Sequence, residues 1–299
     1  MIKKILIGLA AVTALVVVTV YFTTRPHQES DGSYSPSSLA LTLGTVSKTD
    51  YENISYTKYE GDRSKILVIF TEQKNLEMKN GKMFSTGNHP VEALVPMLHL
   101  KNAGFDFEIA TPTGKPVVFE MWAFPNEDEQ VKAIYNEYKA RFEQPRKIAD
   151  FIENSLNDSS YAAVFVPGGH GAMIGIPEDR NVGTVLNWAH QNDLFTITLC
   201  HGPGSLMSTT LDNQKFIYEG YKMAVFPDAI DEMTPMIGYL PGHMTSGVSE
   251  KLKSLGATIV NTESDNTVCV DRKLITGASP LASNELGKLA AKTLLESLK

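Results

Sequence analysis

Five short apolar runs recur along the chain: "KILVIF" from Lys65 to Phe70, "FDFEIAT" from Phe105, "AAVFVP" from Ala162, "LFTITL" from Leu194 and "YKMAVFP" from Tyr221. Runs of this length with little polar alternation suit strands buried on both faces. Between them apolar residues fall at helical spacing: Val91, Leu94, Leu98; then Val182, Val185, Trp188, Ala189; and finally Leu286, Leu289, Ala290, Leu294, Leu298. Strands alternating with helices predict parallel βαβ units, hence an α/β fold with an open, mostly parallel sheet and helices on both faces. Ligands in such folds bind outside the carboxyl ends of the strands.

Three stretches break the pattern. The segment from Phe119 to Asn154 is aromatic, charged and helical, with no strand of its own, and predicts an inserted cap over the sheet edge, about residues 117–154. From Thr23 to Ser64 the chain is rich in Ser, Thr, Tyr and acidic residues, with "SLALTLGTV" alone suited to docking, so residues 23–64 are expected to form a polar tether, partly docked, ahead of a domain spanning 65–299. The third stretch is the apolar run Ile5–Phe22 behind Lys3 and Lys4. Its length exceeds the apolar region of a cleaved signal and approaches that of a membrane span, so residues 1–22 are expected to anchor the chain in a membrane. The two lysines would keep the amino end cytoplasmic and place the domain on the extracytoplasmic side, periplasmic or extracellular. Secretion after signal cleavage is the competing expectation.

Composition narrows the partners. With 299 residues, 42% of them hydrophobic, the chain can bury a large core, and a net charge of -7 gives no electrostatic footprint for nucleic acid. Two cysteines are too few for a disulfide framework.

One of them, Cys200 in "TLCHGPG", closes a buried strand and precedes a glycine-rich turn with a helix expected from about Pro203. A strand-turn-helix corner lifts a nucleophile into the mouth of a site, and a helix N-terminus lowers a thiol's pKa. His201 follows as a candidate acid-base partner. "PGGHG", after the preceding strand, offers Gly168 and Gly169 as backbone donors for an oxyanion, and Glu92 opens a helix in "GNHPVE". Cys269, in "TVCVD", has no turn or helix start behind it and is expected to be inert. His89, His99, His170, His190 and His243 show no short metal-ligand spacing and are expected to be structural or surface residues.

The motifs "PGGHGAMIGIPED", "TLCHGPG", "GNHPVEALVP", "FPDAIDEMTPMIGYLPGHMT" and "DRKLITGASPLASNELGKLA" resemble the PfpI/ThiJ superfamily, in its branch of heat-inducible holding chaperones with glyoxalase III and protein deglycase activity. The resemblance runs from about Lys65 to the C-terminus and includes the inserted segment. It implies a flavodoxin-like fold and a homodimer. It also implies a site of Cys200 as nucleophile, His201 as base, Asp231 orienting the histidine and Glu92 bonded to the thiol, with Asp228 the competitor of Asp231. The implied activity is a cofactor-independent glyoxalase III (D-lactate dehydratase) acting on methylglyoxal-like dicarbonyls, with deglycase action on glycated substrates. An envelope-tethered holding chaperone that binds unfolded proteins without using the cysteine is the alternative.

Members of this branch bind a metal, typically zinc, through two histidines and a glutamate. Those places fall here on Lys101, Asp106 and Tyr138, a set with one good ligand, so no metal is expected there.

Overall fold

The computed structural model of the protein describes residues 19–298. Its central sheet has seven strands: β1 Lys65–Ile69, β2 Asp106–Thr111, β3 Arg146–Lys147, β4 Tyr161–Val166, β5 Phe195–Leu199, β6 Val268–Asp271 and β7 Leu274–Gly277. Their order is β6-β7-β5-β4-β1-β2-β3, parallel throughout except for the β6/β7 hairpin. Ile66 and Val68 of β1 enter one core while Leu67 and Ile69 enter another. Both faces are therefore covered, which is why the run "KILVIF" shows no alternation.

Among the described residues the helices that accompany the sheet are α1 Ser38–Gly44, α2 Pro90–Asn102, α3 Glu129–Glu143, α4 Ile148–Ser155, α5 Arg180–Gln191, α6 Asp228–Met233, α7 Val248–Ser254 and α8 Ser283–Ser297. Apolar residues of α2, α3 and α8 build the first core, and those of α4, α5 and α7 the second. Local chemistry fixes two of the starts. Asp128 accepts hydrogen bonds from the N–H groups of Gln130 and Val131 at the head of α3, and Asp179 does the same for Asn181 and Val182 at α5, each such cap contributing about 1 kcal/mol.

The fifth apolar run does not join the sheet. Lys222–Met223 pairs only with Thr258–Ile259, and the place beside β5 is taken by β7. Beyond Met223 the N–H groups of Ala224 and Val225 donate to the side chains of Thr276 (2.8 Å) and Asn261 (3.0 Å), so no ladder continues.

The segment expected as a strandless cap does contribute a strand, since β3 pairs with Ala110 and Thr111 and closes the sheet edge. Its helix α3 buries Val131, Ile134, Tyr138 and Phe142 in the same core as α2. The expected tether is docked along most of its length. Tyr34 pairs with Phe84 in strand fashion, Tyr59 stacks on Phe105 at 5.4 Å, and the Tyr56 hydroxyl bonds His99 Nδ1 at 2.8 Å. Tyrosine supplies apolar area under a polar label.

The expectation of a membrane-anchored domain is corrected. Among the described residues no helix is long and apolar enough to cross a membrane. Most of the run Ile5–Phe22 lies outside the described residues. The chain that follows it is no free spacer: the Ser37 N–H bonds Gly238 O at 2.8 Å and its hydroxyl bonds Ile237 O at 2.6 Å.

Candidate active site

Strand β1 lies between β2, the next strand in sequence, and β4, reached only after β3 on the far edge. The direction of winding reverses there, and a crevice opens at the carboxyl ends of the strands. Cys200 sits at the end of β5 with φ +59°, in the left-handed region. That corner is held by its N–H to Gly277 O (2.8 Å) and by the Phe226 N–H to its carbonyl (3.0 Å). A non-glycine residue held in that region costs of order 1 kcal/mol or more, and it turns the sulfur into the crevice. The 3-10 stretch that follows, Gly202–Asn213, is broken by non-helical backbone at Leu211 and Asp212.

Around the sulfur the side chains form a chain of contacts. Cys200 Sγ lies 3.3 Å from His201 Nδ1, and His201 Nε2 lies 2.8 Å from Asp231 Oδ2. Asp231, in the first turn of α6, is shared: its Oδ1 meets His170 Nε2 at 3.0 Å. Burial opposes its ionisation, but the two imidazoles outweigh it and hold the carboxyl well below the usual range. Asp228 is occupied elsewhere, accepting from the N–H groups of Ser249 (3.0 Å) and Glu250 (2.8 Å) at the head of α7.

Glu92, in the first turn of α2, is 1% exposed, and neither of its oxygens has a partner at ordinary hydrogen-bond distance; the Cys200 thiol and the Gly169 N–H are the groups that face it. Burial holds its carboxyl well above the usual range, so it is a neutral acid. Burial also pushes the Cys200 thiol up, with the Glu92 and Asp231 carboxyls adding to the effect. The expectation of a lowered thiol pKa is thereby corrected. The resting cysteine is a thiol, because full burial outweighs the start of the 3-10 helix that follows.

Both glycines of the turn "PGG" are required by their surroundings. A Cβ at Gly168 would collide with Glu92 Oε2 and stand 2.5 Å from Leu199 O. Gly169 has φ +97°, and a Cβ there would stand 2.5 Å from both Gly87 O and His89 N. The Gly169 N–H faces the Cys200 sulfur. Gly168 contributes its carbonyl to the His89 N–H at 3.0 Å.

The pocket above these groups has a volume of about 350 Å³. Three of its lining groups were not legible as site residues. His170, expected to be structural or at the surface, holds the second oxygen of Asp231. Glu120 comes from the inserted segment, its Oε1 accepting from the Thr86 hydroxyl at 2.6 Å. Leu43 and Val46, from the end of α1 and just beyond, form an apolar wall. The histidine in "PGGHG" was the available signal for His170. Nothing in the local sequence marked the other two.

Lys101, Asp106 and Tyr138 do come together between α2, β2 and α3, but as an ion-pair lattice. Tyr138 donates to Asp106 at 2.6 Å, Arg141 reaches the same carboxylate at 3.2 Å, and Lys101 pairs with Glu137. Burial and the adjacent Asp106 hold Tyr138 as a neutral phenol. A neutral phenol, a carboxylate already held by Arg141 and a lysine paired with Glu137 do not fit a divalent metal. His170, His201 and Asp231 have ligand atoms within 4.8 Å of one another. Each of those atoms is engaged in the histidine–aspartate hydrogen bonds, which fit a proton relay.

The family described as DJ-1/PfpI matches this chain over residues 83–293. A protein/nucleic acid deglycase HchA of Staphylococcus aureus (strain MSSA476) is 46% identical over 277 residues, covering 92% of this chain and 95% of that relative. Among solved structures, the glyoxalase III of Candida albicans aligns with a TM-score of 0.60 at 22% identity, over 77% of this chain and 98% of its own. The Rapid Encystment Protein 24 KDa of Francisella tularensis aligns at 0.64 and 18% identity, over 77% and 99%. At those identities the two structures speak for the fold alone.

Proposed function

Because this chain belongs to the DJ-1/PfpI family, we propose that it is a deglycase or glyoxalase III-type enzyme in which Cys200 adds to a reactive carbonyl. The observation that carries the reading is the contact chain Cys200–His201–Asp231 at the base of the pocket, with a neutral Glu92 beside the sulfur. The S. aureus relative, by name a deglycase, supports it at the level of reaction class.

On methylglyoxal the steps balance with water as the sole co-reactant. His201 Nδ1 takes the thiol proton as the sulfur bonds to the aldehyde carbon. The carbonyl electrons move onto oxygen, which receives the Gly169 N–H and then the proton from His201, giving a neutral hemithioacetal. His201 next removes the hydrogen on the sulfur-bearing carbon while Glu92 protonates the ketone oxygen, giving an enediol. The return transfers put the carbon-bound proton on the former ketone carbon and restore the Glu92 proton from the other hydroxyl, leaving a thioester. Water then breaks the carbon–sulfur bond, releasing lactate and the thiol. An adduct on an amine would be attacked by the same groups, with the amine as leaving group. The balance uses no cofactor.

The test is lactate formation from methylglyoxal by the purified chain. Cys200→Ser is expected to lower kcat roughly 10³-fold or more with circular dichroism unchanged. Cys269→Ser is expected to stay within a few-fold of wild type, because that half-buried thiol meets the Lys222 carbonyl at 3.6 Å where Cys200 meets a histidine. An active Cys200→Ser protein would defeat the reading.

A further inference from the structure

Among the described residues four histidines are buried: His89, His99, His170 and His201. Three are held through their rings. His99 meets Tyr56 and Asn284 at 2.8 and 2.9 Å, His170 meets Asp231 at 3.0 Å, and His201 meets Cys200 and Asp231 at 3.3 and 2.8 Å. His89 differs. It is 4% exposed and lines the pocket above the cysteine, its Nδ1 is sealed without a partner, and among the described residues no group hydrogen-bonds either ring nitrogen. Buried imidazoles kept for structure have ring nitrogens that are bonded. This one is left for whatever the pocket receives.

The chain around His89 fixes it beside the reacting sulfur. It is the N-cap of α2, three positions ahead of Glu92. Its backbone N–H donates to Gly168 O at 3.0 Å, and a Cβ on Gly169 would stand 2.5 Å from that same nitrogen. The backbone is thus packed against the turn whose Gly169 N–H faces the sulfur. The imidazole takes no part in that packing. Its proton is placed by burial, since an unpaired N–H is the costlier group to seal from water and a bare lone pair the cheaper. Nδ1 is therefore bare, and Nε2 carries the proton. Burial, with the His170 ring adding to it, pushes the pKa of His89 down to about 3, so the ring is neutral. A neutral imidazole donates to a carbonyl oxygen without bringing a charge.

We propose that His89 is a substrate-binding residue whose Nε2–H donates to the second carbonyl oxygen of an α-dicarbonyl, so that the pocket selects dicarbonyls over simple aldehydes. The proposal rests on the reading of Cys200 as the nucleophile and adds to it the group that recognises the rest of the substrate. A ketone oxygen has two lone pairs: one takes the Glu92 proton in the enediol step, and the other accepts from His89. A simple aldehyde has no oxygen at that place. It leaves the buried donor unmet, and a site built to bond an oxygen discriminates by that loss.

The experiment uses the full chain and compares methylglyoxal with propanal, which has the same three carbons and a methylene in place of the ketone. Propanal adds to a thiol but has no second carbonyl to carry it on to lactate, so it is read as a competitive inhibitor of methylglyoxal turnover. His89→Phe keeps a ring and removes the donor, whereas His89→Gln keeps a donor. In His89→Phe the KM for methylglyoxal is expected to rise about ten-fold, with a smaller fall in kcat, while the inhibition constant of propanal stays within about two-fold. His89→Gln is expected to bring KM back to within a few-fold of wild type. An unchanged KM in His89→Phe, or a propanal constant that rises in step with KM, would overturn the proposal. The wild-type protein supplies a second measurement. Nitrogen NMR of the assigned His89 ring at pH 7 is expected to show the proton on Nε2, with a signal that moves when hydroxyacetone, a ketone without the aldehyde, is added. A proton on Nδ1, or a ring unmoved by hydroxyacetone, would equally overturn it. Failure of the underlying reading is separate: it shows as no turnover of methylglyoxal by wild type or as an active Cys200→Ser.

Discussion

Asp231 holds two imidazoles on one carboxylate, and its second partner carries a consequence for acid stability. Because His201 and His170 depress its pKa below the unfolded value, Asp231 contributes stability above the ordinary aspartate range, and the contribution is lost as pH falls through its folded pKa. His170→Phe removes one of the two partners and leaves Oδ1 buried and unpaired. The folded pKa of Asp231 then rises, and acid unfolding followed by circular dichroism is expected to begin at higher pH than in wild type. Turnover is expected to fall about ten-fold, since a less firmly held carboxylate orients His201 less well. His170→Gln, which can still donate, is expected to recover part of both. An unshifted acid transition in His170→Phe would show that Asp231 needs only His201. Of these residues, Cys200, His201, Glu92 and Asp231 were marked by motif. The partnership of His170 was not, because 61 positions separate it from Asp231, and only the crevice brings the two together.

At the scale of elements, the turn after β4 and the joint between α2 and α3 make separate demands. Gly169→Ala puts a Cβ against two backbone atoms, Gly87 O and His89 N, at a φ that disfavours L side chains. It is expected to lower Tm and to abolish turnover together, as the backbone N–H facing the sulfur moves. A variant of normal activity would show that another donor meets the oxyanion. The α2–α3 joint, held by Tyr138, Asp106, Arg141 and Lys101, is expected to need no metal. Dialysis against a chelator should leave Tm and activity unchanged, and a stoichiometric metal with a chelator-sensitive Tm would refute this. Strands β1, β4 and β5 were legible because burial on both faces writes a nearly unbroken apolar run, and β2 because Phe105, Phe107 and Ile109 alternate with Asp106 and Glu108. The short edge strand β3, "RK", was not, since two polar residues carry no such pattern and pair only because β2 offers a free edge.

Across the whole molecule, the segment ahead of β1 wraps the domain and finishes the pocket. Removing residues through Ser47 takes away Leu43 and Val46 but leaves Tyr51, Tyr56 and Tyr59 packed on the core. Such a chain is expected to fold, with a raised KM and a smaller change in kcat, measured against methylglyoxal with Tm as control. An unchanged KM would mean that the wall takes no part in binding. The sequence by itself determined the α/β class, the sheet's central strands and the elbow at Cys200 with His201 beside it, and the family resemblance added Asp231. These are written locally, in periodicity, turn glycines and short motifs. Only the tertiary structure decided that Leu274–Gly277 rather than Tyr221–Pro227 pairs with β5, that Asp231 serves two histidines, that Glu120 enters the pocket from the inserted segment, and that the cysteine rests as a buried thiol. Each of these depends on which distant groups the fold brings together. Burial and pairing across tens of residues leave no periodic trace in the chain.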